Sequence, residues 1–259
     1  MKLVSYRAPG GEPAYGEVRN GRVVTFDDGS TVKDSLASGD RTPATGPDLA
    51  LDDVELLAPH VPRAIFGIGL NYAAHAREQG AEPPAAPIVF MKLPSSVVAP
   101  GAPVSAPAIV KRLDYEGELA IVMGAGGEIA GYAVADDLSA RDLQKREPQW
   151  TRAKGFDGSC PFGPWVTTAD EVAAPGDLAL RTWVNGELRQ DSRTSDLIFS
   201  IPELVAFLGE TMTLEPGDLI LTGTPSGVGQ YLDPPQFLGS GDVVRIEIEG
   251  LGVIEHAVA

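Results

Sequence analysis

The sequence Leu113-Asp114-Tyr115-Glu116-Gly117-Glu118 runs straight into Leu119-Ala120-Ile121-Val122-Met123, five apolar residues in succession. A strand alternates its side chains between two faces, so Asp114, Glu116 and Glu118 share one side while Tyr115, Gly117 and Leu119 share the other. The apolar run implies a strand whose end enters the interior, and carboxylates carried inward need a positive partner because an unpaired buried charge is costly. Residues two apart on a strand stand about 6.6 Å apart. Two glutamates can close that gap around a hard cation whose oxygen ligands lie at about 2.0–2.5 Å. A second acidic pair, Asp136-Asp137, ends the strand-like run 131–135. Spacing alone leaves open a metal site built from Glu116, Glu118 and Asp137, an ordinary ion-pair network, or a solvated acidic edge in which Asp136-Asp137 caps the following helix.

Composition narrows the chemistry. The chain has 259 residues, 43% of them apolar, enough for a substantial core. A net charge of −16 disfavours nucleic acid and anionic membranes as partners, since both repel an acidic surface. A small anionic substrate would need a local positive site. With three histidines and one cysteine, a carboxylate site suits Mg²⁺, Mn²⁺ or Ca²⁺ better than Zn²⁺ or Cu²⁺, and Mg²⁺ is the default, with Mn²⁺ as alternative. The single Cys160 precludes an internal disulfide and fits a reducing, cytoplasmic setting. No apolar run reaches the roughly 18 residues of a membrane helix.

The pattern of elements predicts a mixed, β-rich α+β fold. Short strands in the first sixty residues suggest a small N-terminal β cap, with Asn20-Gly21 as a hairpin turn and the Pro-, Gly- and Asp-rich stretch 42–53 as a connector. The boundary is placed between an N-terminal unit, 1–53, and a main domain, 54–259. Asn71 is the expected N-cap of a short helix ended by Gly80, and Ser139-Ala140-Arg141-Asp142 resembles a capping box. Stretch 150–158 reads as a polar loop, Asn185-Gly186 as a second hairpin turn, and Ile201 to Gly209 as a helix with Ser200 and Glu203 in its capping box.

His75 and Glu78 are three apart on the first of these helices and face one side, so Glu78 could orient the imidazole for general-base work. An exposed helix dyad is the plainer alternative. His60 and His256 read as surface histidines. Lys92 and Lys154 are the candidate local cations for an anionic substrate. The loop Gly223-Thr224-Pro225-Ser226-Gly227-Val228-Gly229 lacks the Gly-Lys-Ser/Thr ending of a P-loop, yet its amides and threonine hydroxyl could hold a carboxylate. Cys160 reads as packing rather than nucleophile.

Five motifs, in order, resemble the fumarylacetoacetate hydrolase family: Gly67-Ile68-Gly69-Leu70-Asn71-Tyr72 with His75; Asp114 to Leu119; Asp137-Leu138-Ser139-Ala140-Arg141-Asp142; Trp150 to Lys154; and Leu221-Thr222-Gly223-Thr224-Pro225. The resemblance spans about residues 54 to 259. It implies a β-roll or barrel core, usually a homodimer, and Mg²⁺ or Mn²⁺ on Glu116, Glu118 and Asp137. It also implies water activation by His75 and Glu78 from a mobile lid, charge stabilisation by Lys154, carboxylate binding by Thr224, and a substrate contact at Gln144. Many relatives carry Arg or Lys where this chain has Leu70, which bears on the substrate's distal group. Members act on 2-oxo and 1,3-dioxo acids.

The expected reaction is hydrolysis of a C–C bond in an acylpyruvate-like or fumarylacetoacetate-like acid. Its 2-oxo and carboxylate oxygens would chelate the metal, and His75 with Glu78 would deliver hydroxide. Decarboxylation of oxaloacetate or isomerisation of a hydroxydienedioate could use the same metal site. A non-catalytic metal- or metabolite-binding protein is the alternative from another class.

Overall fold

The computed structural model describes all residues 1–259. The run Gly117–Met123 is a central strand with both faces covered, which explains why it is continuously apolar rather than alternating. Leu119, Ile121 and Met123 pack into one core with Tyr132, Val134, Leu180, Ile246, Leu204 and Leu208. Ala120 and Val122 face another, with Leu3, Leu36, Ile65 and Phe162. The larger core lies against a four-stranded sheet in the order Glu187–Arg193, Ala179–Val184, Val243–Ile248, Gly252–Ala257.

The main sheet has 12 strands. Its path runs from Asp48–Ala50 through the N-terminal strands to Lys2–Arg7, then Cys160–Thr168, Ile129–Asp136, Gly117–Met123, Leu219–Leu221, Ile65–Gly69 and Ile88–Lys92. Leu219–Leu221 runs parallel to Ile65–Gly69 while most other pairs are antiparallel. The mixed β-rich α+β class is therefore present, but the expected barrel is not. The sheet ends on two different edge strands, Asp48–Ala50 and Ile88–Lys92. Lys2–Arg7 pairs directly with Cys160–Thr168, so the N-terminal strands extend the main sheet. The supposed connector 42–53 contributes the edge strand Asp48–Ala50.

Local signals behave as their chemistry requires at both hairpins, where Asn20 (φ 50°) and Asn185 (φ 52°) adopt left-handed backbone before glycine. The Ile201–Gly209 helix has the Ser200/Glu203 capping box. Other caps differ. Asn71 does not cap the Ala73–Glu78 helix; its amide bonds Phe199 and Thr222 main chain, and Asp196 accepts from Ala74 N at 2.8 Å instead. Ser139 is not a cap either, because Ser139–Ala140 pairs as a strand with Leu113–Asp114. Stretch 150–158 contains the short helix Thr151–Lys154, whose Ala153 and Lys154 are buried.

Register delivers the site. Gly117 pairs with Asp136, which sets Asp137 beside Glu116, and the Asp137 amide donates to Glu116 O at 2.9 Å. On the other side Ala120 pairs with Leu221, bringing Gly223 alongside Glu118. The Ile65–Gly69 strand ends at the same rim and leads into the helix that carries His75.

Candidate active site

Glu116, Glu118 and Asp137 each offer a carboxylate oxygen, all within 4.8 Å of one another, and all three residues are buried. The strand does not carry Asp114 into this cluster. It breaks at Tyr115-Glu116, and Asp114 accepts instead from Tyr115, Gly229 and Gln230 amides and from Arg141 Nε at 2.9 Å. Arg141 Nη2 reaches Glu116 Oε1 at 2.5 Å. Lys154 Nζ bridges Glu116 Oε2 and Asp137 Oδ2, both at 2.6 Å. Glu118 has no ion pair; its Oε2 accepts from Gly223 N at 2.7 Å.

The charges explain the titration. Burial pushes the Glu116 carboxyl up, but the Lys154 ammonium and Arg141 guanidinium outweigh it and hold the group at about 2. Burial raises Glu118 well above the ordinary carboxylate range, and the neighbouring charges of Asp137 and Glu116 add to the shift. Burial alone would lower Lys154, yet Asp137 and Glu116 raise it. Four buried carboxyl groups (Asp114, Glu116, Glu118, Asp137) face three cations (Lys92, Arg141, Lys154), and Glu118 is the one without a cationic partner. A hard divalent cation fits this donor set. With ligands at about 2.1 Å, oxygens on an octahedral ion stand about 3.0 Å apart when cis and about 4.2 Å when trans, so side-chain adjustment would bring the three carboxylates onto one ion.

His75 Nδ1 lies 2.8 Å from Glu78 Oε2, and Glu78 Oε1 accepts from Gly227 N at 2.9 Å. Gln79 Nε2 stands 2.6 Å from His75 Nε2. This pattern assigns the Nδ1–H tautomer, with the Nε2 lone pair as the basic atom. His75 is buried rather than part of an exposed dyad. Glu116, Glu118, His75, Gln79, Gln144, Lys154 and Thr224 line one cavity of about 720 Å³, with Ile68, Leu70, Ile88, Phe90 and Trp150 on its apolar wall. Leu70 holds a left-handed backbone, φ 54°, which costs a side chain of this kind about 1–2 kcal/mol.

Three expected substrate contacts are placed differently. Lys92 is off the cavity: its ammonium is fully buried against Asp137 Oδ1 at 2.6 Å and the Lys154 carbonyl, because the Ile88–Lys92 strand carries it behind Asp137. The Gly223 amide is turned to Glu118, and the left-handed φ of +99° with a Cβ position only 2.8 Å from Asn71 Cβ makes glycine necessary there. Thr224 lines the cavity, but its hydroxyl donates to Gly117 O at 3.1 Å and accepts from Gln190 Nε2 at 2.8 Å. Gln144 accepts from Arg141 Nη1 at 3.0 Å, leaving its amide hydrogens unclaimed.

His60 and His256, expected at the surface, are both buried, and they and Gln190 support the site and its surroundings. His256 is buried, with Nε2 at 2.8 Å from Asp136 Oδ2, while Asp136 Oδ1 accepts from Glu116 N at 2.8 Å. His60 is also buried and bonds Gly217 O at 2.7 Å; burial lowers it to about 4. Gln190 ties Gly117 N to Thr224 and Pro225. Only pairing partners far along the chain could have signalled these roles. Cys160 is buried and its thiol is pushed up to about 12, in line with packing.

Residues 64–259 match the family described as Fumarylacetoacetate (FAA) hydrolase C-terminal, and residues 1–59 that described as Rv2993c-like, N-terminal. Oxaloacetate tautomerase YisK of Bacillus subtilis (strain 168) is 44% identical over 225 residues, spanning 81% of this chain and 74% of that protein. The fold superposes on fumarylacetoacetate hydrolase from psychrophilic Exiguobacterium antarcticum with a TM-score of 0.90 at 36% identity, covering 100% and 99% of the two chains. It superposes on 2-hydroxyhepta-2,4-diene-1,7-dioate isomerase from Mycobacterium marinum with a TM-score of 0.84 at 36% identity, covering 100% and 98%. No helix is long and apolar enough to cross a membrane. The chain belongs to the fumarylacetoacetate hydrolase family of enzymes.

Proposed function

We propose that this protein moves a proton between C3 and the 2-oxo oxygen of a 2-oxo acid, interconverting its keto and enol forms. Glu116, Glu118 and Asp137 would hold a divalent cation, Mg²⁺ or Mn²⁺. The carrying observation is that His75, braced by Glu78, lines the same cavity as two of the three carboxylates. When bound, the cation supplies Lewis acidity where the 2-oxo oxygen gains electron density. His75 Nε2 would take the proton from C3 and deliver it to the 2-oxo oxygen, or carry it the other way in the reverse direction, with the Glu78 carboxylate stabilising the imidazolium between the two transfers. Gln79 must release Nε2 for this to happen. Lys154 and Arg141 keep Glu116 ionised as a ligand.

C–C hydrolysis, the reaction expected from sequence, uses the His75/Glu78 dyad to activate water. Proton transfer at C3 needs a placed base equally, and the similarity to a tautomerase and an isomerase supports that reading. C–C hydrolysis is the second reading, favoured by the likeness to the Exiguobacterium hydrolase. Parallel assays with Mg²⁺ separate them: loss of enol-oxaloacetate absorbance should be accelerated well beyond acetylpyruvate cleavage. Cleavage without enol conversion would make the protein a hydrolase.

A further inference from the structure

We propose that Arg112 and Lys145 determine specificity at this site by holding a second, distal carboxylate, so that the enzyme selects 2-oxo diacids over mono-acids. This rests on the 2-oxo acid reading above. Of the 20 lysines and arginines, six have no carboxylate partner: Lys2, Lys33, Arg77, Lys111, Arg112 and Lys145. Only Arg112 and Lys145 of those six line the catalytic cavity. The other cations there are spoken for, since Lys154 and Arg141 neutralise Glu116, Asp137 and Asp114. In a chain of net charge −16, two unclaimed cations lining one cavity supply the local positive charge that a dianion needs.

Arg112 is also positioned. Its guanidinium lies over the Phe237 ring at 5.6 Å, and its carbonyl accepts from Arg141 N at 2.9 Å, tying it to the start of the helix that carries Gln144 and Lys145. A stacked guanidinium keeps its in-plane N–H groups free for a carboxylate. The cavity of about 720 Å³ has room for a substrate that extends from the carboxylate triad toward this wall.

The test compares acids that differ only in the distal charge. Affinity is measured calorimetrically with Mg²⁺ present for 2-oxoglutarate, its distal methyl ester, and oxalate, and turnover is followed on oxaloacetate and its distal methyl ester. In Arg112→Gln/Lys145→Gln the diacids should lose about tenfold to a hundredfold, chiefly in Kd and KM, the scale of a hydrogen bond to a charged group. The esters and oxalate should change by less than about threefold, and Arg112→Glu should bring diacid affinity below that of the ester. Equal losses on diacid and ester, or no loss on the diacid, would overturn the assignment. Wild-type protein that prefers the diacid in binding but turns over neither substrate would refute the proton-transfer reading alone. Both side chains are exposed, and melting curves matching wild type exclude misfolding.

Discussion

Glu118→Gln separates the carboxylate site from the fold that carries it. Glu118 offers an oxygen within 4.8 Å of ones on Glu116 and Asp137. At that spacing, with an effective dielectric of about 20, each like-charge pair would cost about 3.5 kcal/mol. Burial and the charges of Asp137 and Glu116 raise the Glu118 carboxyl well above the ordinary range, so its ionised form is disfavoured until a cation offsets them. Glutamine has the same shape, is neutral, and retains a carbonyl for the Gly223 N–H at 2.7 Å. The variant should therefore melt, without metal, within about 1 kcal/mol of wild type. Cation binding is different. Wild type at a cation concentration about 100 times Kd gains about 2.7 kcal/mol, or about 5–11 °C in Tm for a chain of this size. Glu118→Gln should lose most of that shift in a thermal-melt titration with Mg²⁺ and Mn²⁺. A full cation-induced shift in the variant, or a metal-free loss of more than about 3 kcal/mol, would show that Glu118 is an ordinary ion-paired carboxylate.

Three further outcomes follow from buried groups. Lys92→Met leaves Asp137 short of one cation and should destabilise the metal-free protein by about 3–5 kcal/mol in denaturant melts, with part of the loss recovered by Mg²⁺. His256→Ala strips Asp136 of a buried partner; it should cost about 1–3 kcal/mol and weaken cation affinity, because Asp136 fixes the Glu116 main chain, while His256→Asn should recover part of both. His60, lowered by burial to about 4 in the folded state from an ordinary value of about 6.5, binds a proton more readily when unfolded. Its contribution is nil above pH about 6.5 and falls as pH drops toward 4, by about 3 kcal/mol in total. His60→Gln should flatten that part of the stability–pH curve, and an unchanged slope would contradict the assignment.

The site was legible where its chemistry is local. Glu116 and Glu118 stand two apart beside an apolar run, and His75 and Glu78 three apart on a helix, so spacing alone presented the central groups. What spacing could not supply was who faces whom across the sheets. Lys92 looked like any candidate substrate cation until the edge strand placed it behind Asp137. His256 and Gln190 come from the four-stranded sheet, and their roles exist only after that sheet packs on the central strand. The caps show a related limit. Ser200 and Glu203 form the expected capping box because that motif is self-contained, whereas Asn71 and Ser139 are drawn into distant pairings that outcompete local capping.

The most direct test is the rate of enol-oxaloacetate loss with Mg²⁺ for wild type and His75→Asn, with cation affinity measured on the same samples. If His75 is the base, the variant's rate falls by about a hundredfold to ten-thousandfold while its cation-induced Tm shift stays intact. A variant that binds the cation and converts the enol as fast as wild type would contradict the account.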